Sequence, residues 1–310
     1  MKFPFNVLQD AEFDVLGFGT NAVDFLIQVP EYPAFNSKVE LTNYLQAAGG
    51  EVATTVVGLQ RLGLKTAYAG RFGSDQAGDF GMLSLKEEGV DTTYAEQIPG
   101  ANTQIAFIIV DIRSGERTVI WQRDKALAYA EAEAPVDGID RAKVVHFTPH
   151  DADACRRMAE RARKAGVLVS LDIDNFFAGT DGLLPLVDIL IASAEFPKKL
   201  LGIEDSRAGL QAMQDRFGCP IVGVTLGEAG SLLLCGGTFI ETPGFAVPGG
   251  CRDTTGAGDA FRVGLLYGLL NGESIEESAR LANAVAALKC RQVGARTALP
   301  DESELRSLLK

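Results

Sequence analysis

The 310-residue chain is 46% hydrophobic and 23% charged, an ordinary globular composition able to bury roughly three quarters of its unfolded surface without disulfides or metals. The length admits two domains of about 150 residues, or one α/β domain with insertions. With 29 Lys+Arg against 41 Asp+Glu the net charge is −12, and no basic cluster exceeds Arg156-Arg157 or Lys198-Lys199, which argues against nucleic acid and anionic membranes but not against an anion held in a local pocket of donors. The odd set Cys155, Cys219, Cys235, Cys251 and Cys290 has no C-x-x-C pair, so neither a disulfide framework nor a zinc site is indicated. The opening residues lack a signal-peptide apolar run, and no 18-residue apolar stretch exists. A cytoplasmic location without a membrane span is therefore expected.

Short apolar runs at 13–17, 66–70, 143–147, 167–172, 189–192 and 221–225 read as buried strands. Between them, 52–62, 79–88 and 152–164 read as helices stopped by Gly63, Gly89 and Gly166. This alternation predicts a parallel sheet covered by helices on both faces. Residues 24–45 and 102–123 instead alternate with period 2, and Arg113-Ser114-Gly115-Glu116 would be the turn between two strands. We expect a small separate β-sheet there, with edge hairpins of the main sheet as the alternative. Further on, 231–234 and 238–241 form a hairpin around Gly236-Gly237. An apolar helix covers 260–270, and Ser274-Ile275-Glu276-Glu277 predicts a capping box that starts a helix to about Lys289.

Three glycine patterns invite a phosphate reading. Gly17-Phe18-Gly19-Thr20-Asn21-Ala22 fits a dinucleotide fingerprint, but the residues after it look like a strand rather than the required helix. The stretch from Gly58 to Thr66 misses P-loop spacing by one residue and ends a helix instead of opening one. Gly256-Ala257-Gly258-Asp259 precedes a helix, so its backbone N–H groups would converge on an anion. Asp259 beside that anion would suit a base that takes a proton from a hydroxyl attacking phosphorus. The pattern is equally a Gly-rich turn with an acid in the first helical turn, where the dipole favours it.

The string Asp253-Thr254-Thr255-Gly256-Ala257-Gly258-Asp259-Ala260-Phe261 resembles the C-terminal signature of the pfkB (ribokinase-like) carbohydrate kinases. Other matches follow the family's order along nearly the whole chain: Gly17 to Asp24, Gly49-Gly50 with the helix to Gly63, Gly70 to Gly78, and Thr225-Leu226-Gly227-Glu228-Ala229-Gly230. The resemblance implies a ribokinase-like three-layer α/β/α fold, one domain over 1–310, with insertions at about 24–45 and 102–123 forming a β-sheet lid that often pairs with a second subunit's lid. It implies Asp259 as general base, with the N–H groups of Gly256, Ala257 and Gly258 as anion hole. Asp24, Gly49 and Gly50 would bind sugar hydroxyls, and Thr225, Gly227, Gly230 and Asn283 would serve ATP. Asp253, Thr255 and Gly294 would hold a monovalent cation such as K+, and Glu195 would help place Mg2+ through water.

The chain departs from the family at three places. Thr54 stands where the N-terminal signature usually carries Asn, and a hydroxyl cannot offer both a carbonyl and an NH2. Glu195 falls one position early in the usual N-x-x-E. Ala298 replaces a side-chain oxygen seen in some cation sites, which leaves potassium dependence open. The tail from Ala286 to Cys290 with Gly294 is similar to ketohexokinase-like and sulfofructose-kinase-like members, pointing to a ketose or modified hexose. An anionic acceptor would need cations, for which Arg123, Arg117 and His150 are candidates; the competing role for the arginines is a solvated strand position, and for His146 and His150 a structural one. Trp121 reads as lid core or a dimer contact, with sugar stacking as the alternative. The readings carried forward are an ATP-dependent sugar kinase, a nucleoside or sugar-phosphate kinase of the same fold, and a non-catalytic sensor.

Overall fold

In the computed structural model, which describes every residue except Gly115, strand and helix alternate as the sequence pattern requires. The first third holds β1 (Phe13–Phe18), β2 (Ala22–Val29), β3 (Asn43–Gly49), α1 (Glu51–Arg61), β4 (Thr66–Gly73), α2 (Gln76–Glu87), β5 (Asp91–Ile98), β6 (Ile105–Asp111) and β7 (Arg117–Gln122). The middle runs through β8 (Ala142–Phe147), α3 (Ala152–Ala165), β9 (Leu168–Ile173), α4 (Thr180–Leu183), β10 (Ile189–Ser193), α5 (Phe196–Leu201) and α6 (Ser206–Phe217). The chain ends with β11 (Ile221–Thr225), β12 (Ser231–Cys235), β13 (Thr238–Thr242), α7 (Ala257–Leu270), α8 (Ile275–Lys289) and α9 (Glu302–Leu309).

Among the described residues, nine strands form one sheet in the order β13-β12-β11-β10-β9-β8-β1-β4-β5. It is parallel from β5 to β11, and β12 and β13 close one edge antiparallel. Strands buried on both faces read as continuous apolar runs. Alternate residues accordingly feed two cores: Leu190 and Ala192 of β10 pack with α3 and α6, Ile189 and Ile191 with α1, α7 and α8. Gly17 on β1 lets α1 lie close, because a Cβ there would meet Val56 at 2.5 Å.

The two period-2 segments form a separate four-stranded sheet, β3-β2-β6-β7, and not edge hairpins of the main one. The expected turn at 113–116 includes Gly115, which lies outside the described residues, and residues 30–42 form neither strand nor helix. Register places Asp24, Ala106 and Trp121 in one row on one face. Leu26, Ala106, Ile108 and Val110 on that face are buried, while the opposite face shows Tyr44, Phe107 and Ile120 to solvent.

Several expectations needed correction. The helix placed at 79–88 begins at Gln76, because Asp75 caps it by accepting the Gly78 N–H. The helix placed at 260–270 begins at Ala257, which puts Asp259 inside its first turn. At Ser274 only half of the capping box forms. The Ser274 hydroxyl accepts the Glu277 N–H, but Glu277 turns to Arg280 instead of back to the cap. Strand β5 escaped notice because its edge position leaves it a polar sequence.

Candidate active site

In a sheet of this kind ligands bind beyond the carboxyl ends of the strands, where loops and helix N-termini converge. The turns after β1 and β8, the N-termini of α1 and α7, and the inner face of the second sheet meet there. Gly256 makes the entry to α7 possible. Its φ is +77°, and a Cβ would lie 2.9 Å from that of Ala295. The Ala257 N–H is spent on the Thr254 carbonyl at 3.1 Å. The N–H groups of Gly256, Gly258 and Asp259 have no acceptor among the described residues, so of the expected trio at 256–258 Ala257 is lost and Asp259 takes its place as a free donor. Dipole and free donors together give this turn the chemistry to accept an anion.

Asp259 as a residue is only 9% exposed. Burial, then the carboxylates of Asp172 and Glu51, push its carboxyl well above the usual range, against Arg262 and Arg117. Arg262, one turn further along α7, is buried and pairs with Asp172 of β9 at 2.5 Å while donating to the Ile191 carbonyl. Arg117 on β7 donates to the Thr254 hydroxyl at 2.6 Å, so the second sheet touches the loop leading into α7.

Asp24 lies under the second sheet, 4% exposed. Burial raises its carboxyl to about 6, opposed chiefly by Arg296. Gly49 must lack a side chain, because a Cβ would collide with the Asp24 carboxylate. Gly50, at φ +89°, ends the turn into α1 against the Asn21 backbone. Arg296 donates to the Gly49 carbonyl and the Ser84 hydroxyl, and its charge acts on both Asp24 and Asp259. Asn21 is held by Tyr68 at 2.7 Å and by the Arg71 carbonyl. Around this point Asn21 Oδ1, Thr54 Oγ1, Gln104 Oε1, Tyr129 OH, Thr148 Oγ1 and His150 Nδ1 are buried without a hydrogen-bond partner among the described residues, with the Glu51 carboxylate 3.7 Å from His150 Nδ1. Neutral donors and acceptors in such number call for a polar ligand.

Of the three cations expected for an anionic acceptor, Arg123 and His150 are not free to serve, whereas Arg117 has no carboxylate partner among the described residues and donates only to the Thr254 hydroxyl. Arg123 is bound by both oxygens of Asp151, at 2.9 and 2.6 Å, and by the Leu127 carbonyl. Burial lowers His150 to about 4, so it is neutral at pH 7. It packs 4.6 Å from Phe177, with Trp121 edge-on at 6.2 Å. His146, lowered to about 3 by burial, meets Ser170 within the core.

On the nucleotide side, Thr225 ends β11 and Gly227 follows at φ +60° with open space around it. Gly230, at φ +102°, is required by the Thr242 carbonyl, which a Cβ would strike. The Asn283 NH2 holds Ser231 and the Thr242 carbonyl, so its amide ties the β12–β13 hairpin to α8. Glu195 is exposed after β10 and has no partner among the described residues. No cluster of three metal-ligating side chains occurs among those residues.

The residues expected to hold a monovalent cation do not fit one. Asp253 Oδ1 accepts the Thr255 N–H and hydroxyl, and Oδ2 accepts the Gly294 N–H. The Lys289 ammonium, fully buried, donates to the Asp253 carbonyl at 2.8 Å. Ala298 is buried and brings no side-chain oxygen.

Glu51, Asp172, Arg262, Lys289 and Arg296 were not singled out from the sequence. Asp172 in a mostly apolar strand and Lys289 after an apolar helical run were readable signals, because buried charge is rare without a partner. Nothing in the sequence marked Arg296, which a loop brings back to Gly49.

No helix among the described residues is long and apolar enough to cross a membrane. The family model described as "pfkB family carbohydrate kinase" matches residues 14–302. A nucleoside kinase from Methanothermobacter thermautotrophicus is 26% identical over 94% of each chain. A putative ribokinase from Agrobacterium tumefaciens superposes with a TM-score of 0.85 at 26% identity, over 95% of this chain and 96% of that one. A double-mutant fructokinase from Vibrio cholerae, solved with fructose, ADP and potassium ion, gives 0.79 at 26% identity over 97% and 100%. The chain has the ribokinase-like α/β fold, belongs to the pfkB family of carbohydrate kinases, and is an ATP-dependent kinase.

Proposed function

We propose that this kinase transfers the γ-phosphoryl of ATP to a hydroxyl of a free, uncharged sugar, of the ketose or modified-hexose kind. The observation that carries this reading is Asp259: a buried carboxyl pushed upward, in the first turn of a helix whose N–H groups at 256, 258 and 259 lack acceptors. A base needs a proton affinity raised toward the working pH. The free N–H groups would stabilise charge on the transferred phosphoryl, an effect commonly worth about 3 kcal/mol per donor. Asp24, with the Gly49-Gly50 backbone, would orient the acceptor hydroxyls. Mg2+ bound with ATP would neutralise phosphate charge, with Glu195 the candidate to reach it through water.

The preference for an uncharged acceptor rests on the paired state of Arg123, the neutrality of His150 and the surrounding neutral polar atoms. A nucleoside acceptor is the second reading, favoured by the aromatic group of Trp121, His150 and Phe177. The second sheet would act as a lid excluding water, within one domain covering 1–310. Its outward apolar face would meet a second copy's lid in a homodimer, and the unoxidised cysteines fit the cytoplasm.

The test is ADP release with Mg2+ and ATP across free sugars, sugar phosphates and nucleosides, with Asp259→Asn alongside. Turnover on a free sugar should fall by about 10²- to 10⁴-fold in the variant, with ATP affinity retained. Turnover confined to phosphorylated sugars or to nucleosides would refute the acceptor class. Activity surviving Asp259→Asn would refute the mechanism.

A further inference from the structure

We infer that the Lys289 ammonium is a built-in replacement for a monovalent cation beneath the α7 anion turn, so that this kinase works without potassium. The inference rests on the kinase reading above and concerns the support of its site.

A lysine with no exposed surface is rare and must be matched by charge and hydrogen bonds. Lys289 ends α8, and its Nζ donates to the Asp253 carbonyl at 2.8 Å, with the Asp253 Oδ2 at 3.8 Å. Asp253 in turn joins three segments. It accepts the Thr255 N–H at 2.9 Å and hydroxyl at 2.7 Å from the loop before α7, and the Gly294 N–H at 2.8 Å from the loop after α8. Gly256 then turns left-handed against Ala295 of that second loop. The geometry that frees the N–H groups at 256, 258 and 259 thus depends on Asp253 being neutralised in place.

One ammonium supplies the same single charge as K+ and the same preference for oxygen neighbours. With Asp253 and Lys289 both fully buried, the pair is already neutral. A second monovalent cation would leave uncompensated buried charge, which is strongly unfavourable. It would also find few ligands, because the Asp253 oxygens are engaged and Ala298 offers none.

The experiment compares the full-length protein in choline chloride and potassium chloride at equal ionic strength, by turnover and by thermal unfolding. Wild-type kcat/KM and Tm should be the same in both salts. Lys289→Ala, which opens space, should lose about tenfold or more in choline, the factor given by 1.36 kcal/mol of transition-state stabilisation. Its activity and Tm should both rise with potassium. Lys289→Met, which fills the space without charge, should be impaired and insensitive to potassium. A wild-type enzyme stimulated severalfold by potassium would overturn the inference, as would either variant fully active in choline. The wild-type comparison decides even if a variant fails to fold. The Tm arm needs no turnover, so an error in the acceptor class leaves it readable.

Discussion

Replacing Asp24 by Asn should stabilise the protein and weaken its grip on the acceptor in one step. The Asp24 carboxyl sits at about 6 against 3.8 for the free side chain, mainly because burial penalises its charge. Between those values the folded state holds more protons than the unfolded state, so stability falls as pH rises through this window. The full effect, reached above pH 6, is about 3 kcal/mol at 1.36 kcal/mol per tenfold change. Asn has nearly the shape of the protonated carboxyl and never ionises. Urea unfolding of wild type and Asp24→Asn should therefore give similar stabilities near pH 4, and an advantage of about 3 kcal/mol to the variant near pH 7.5. Acceptor KM should rise about 10- to 100-fold with the loss of a charged hydrogen-bond acceptor worth about 1.5–3 kcal/mol. A stability difference that does not vary with pH would refute the burial argument, and an unchanged KM would refute the placement of Asp24 against the acceptor.

The other predictions concern the base and the helix beneath it. Because the Asp259 carboxyl is raised, its proton is kept to higher pH; kcat/KM should fall on the acid side with an inflection well above the ordinary carboxylate range, and Asp259→Asn should abolish that limb. Arg262 holds Asp172 and opposes the rise at Asp259, so Arg262→Met should cost about 3–5 kcal/mol of stability by unpairing a buried charge, read by denaturant melts, and move the acid limb to higher pH. A Cβ on Gly58 would meet Val263 of α7 at 2.5 Å. Gly58→Ala should cost about 1–3 kcal/mol by overpacking, offset by up to about 1 kcal/mol of helix propensity. Val263→Ala in the same chain should return part of the loss, and strict additivity in that double-mutant cycle would contradict the close α1–α7 packing.

Patterns local to the chain were legible without coordinates. Apolar runs of four to six residues, with amphipathic stretches ending in Gly63, Gly89 and Gly166 among them, dictated a covered parallel sheet. Period-2 segments marked strands apart from the helical rhythm, while the choice between a second sheet and edge hairpins of the main one fell to the structure. Gly256-Ala257-Gly258-Asp259 before an apolar helix marked a glycine-rich turn with a carboxylate at a helix start. These follow from backbone geometry and side-chain spacing, which act over a few residues.

The tertiary structure decided how charges separated by scores of residues are matched. Arg123 looked like a free lid cation until the turn after β8 brought Asp151 against it. His150 was a possible cation until burial removed its proton. Lys289 and Asp253 lie 36 residues apart, and Arg296 and Gly49 247 apart, yet each pair meets in a dry interior. A buried charge is set by its surroundings, since desolvation and a partner a few ångströms away outweigh anything in its sequence neighbours. The sequence therefore determined where the glycine-rich turn and its carboxylate would be, and the fold determined which charged groups around it are spent on partners within the chain.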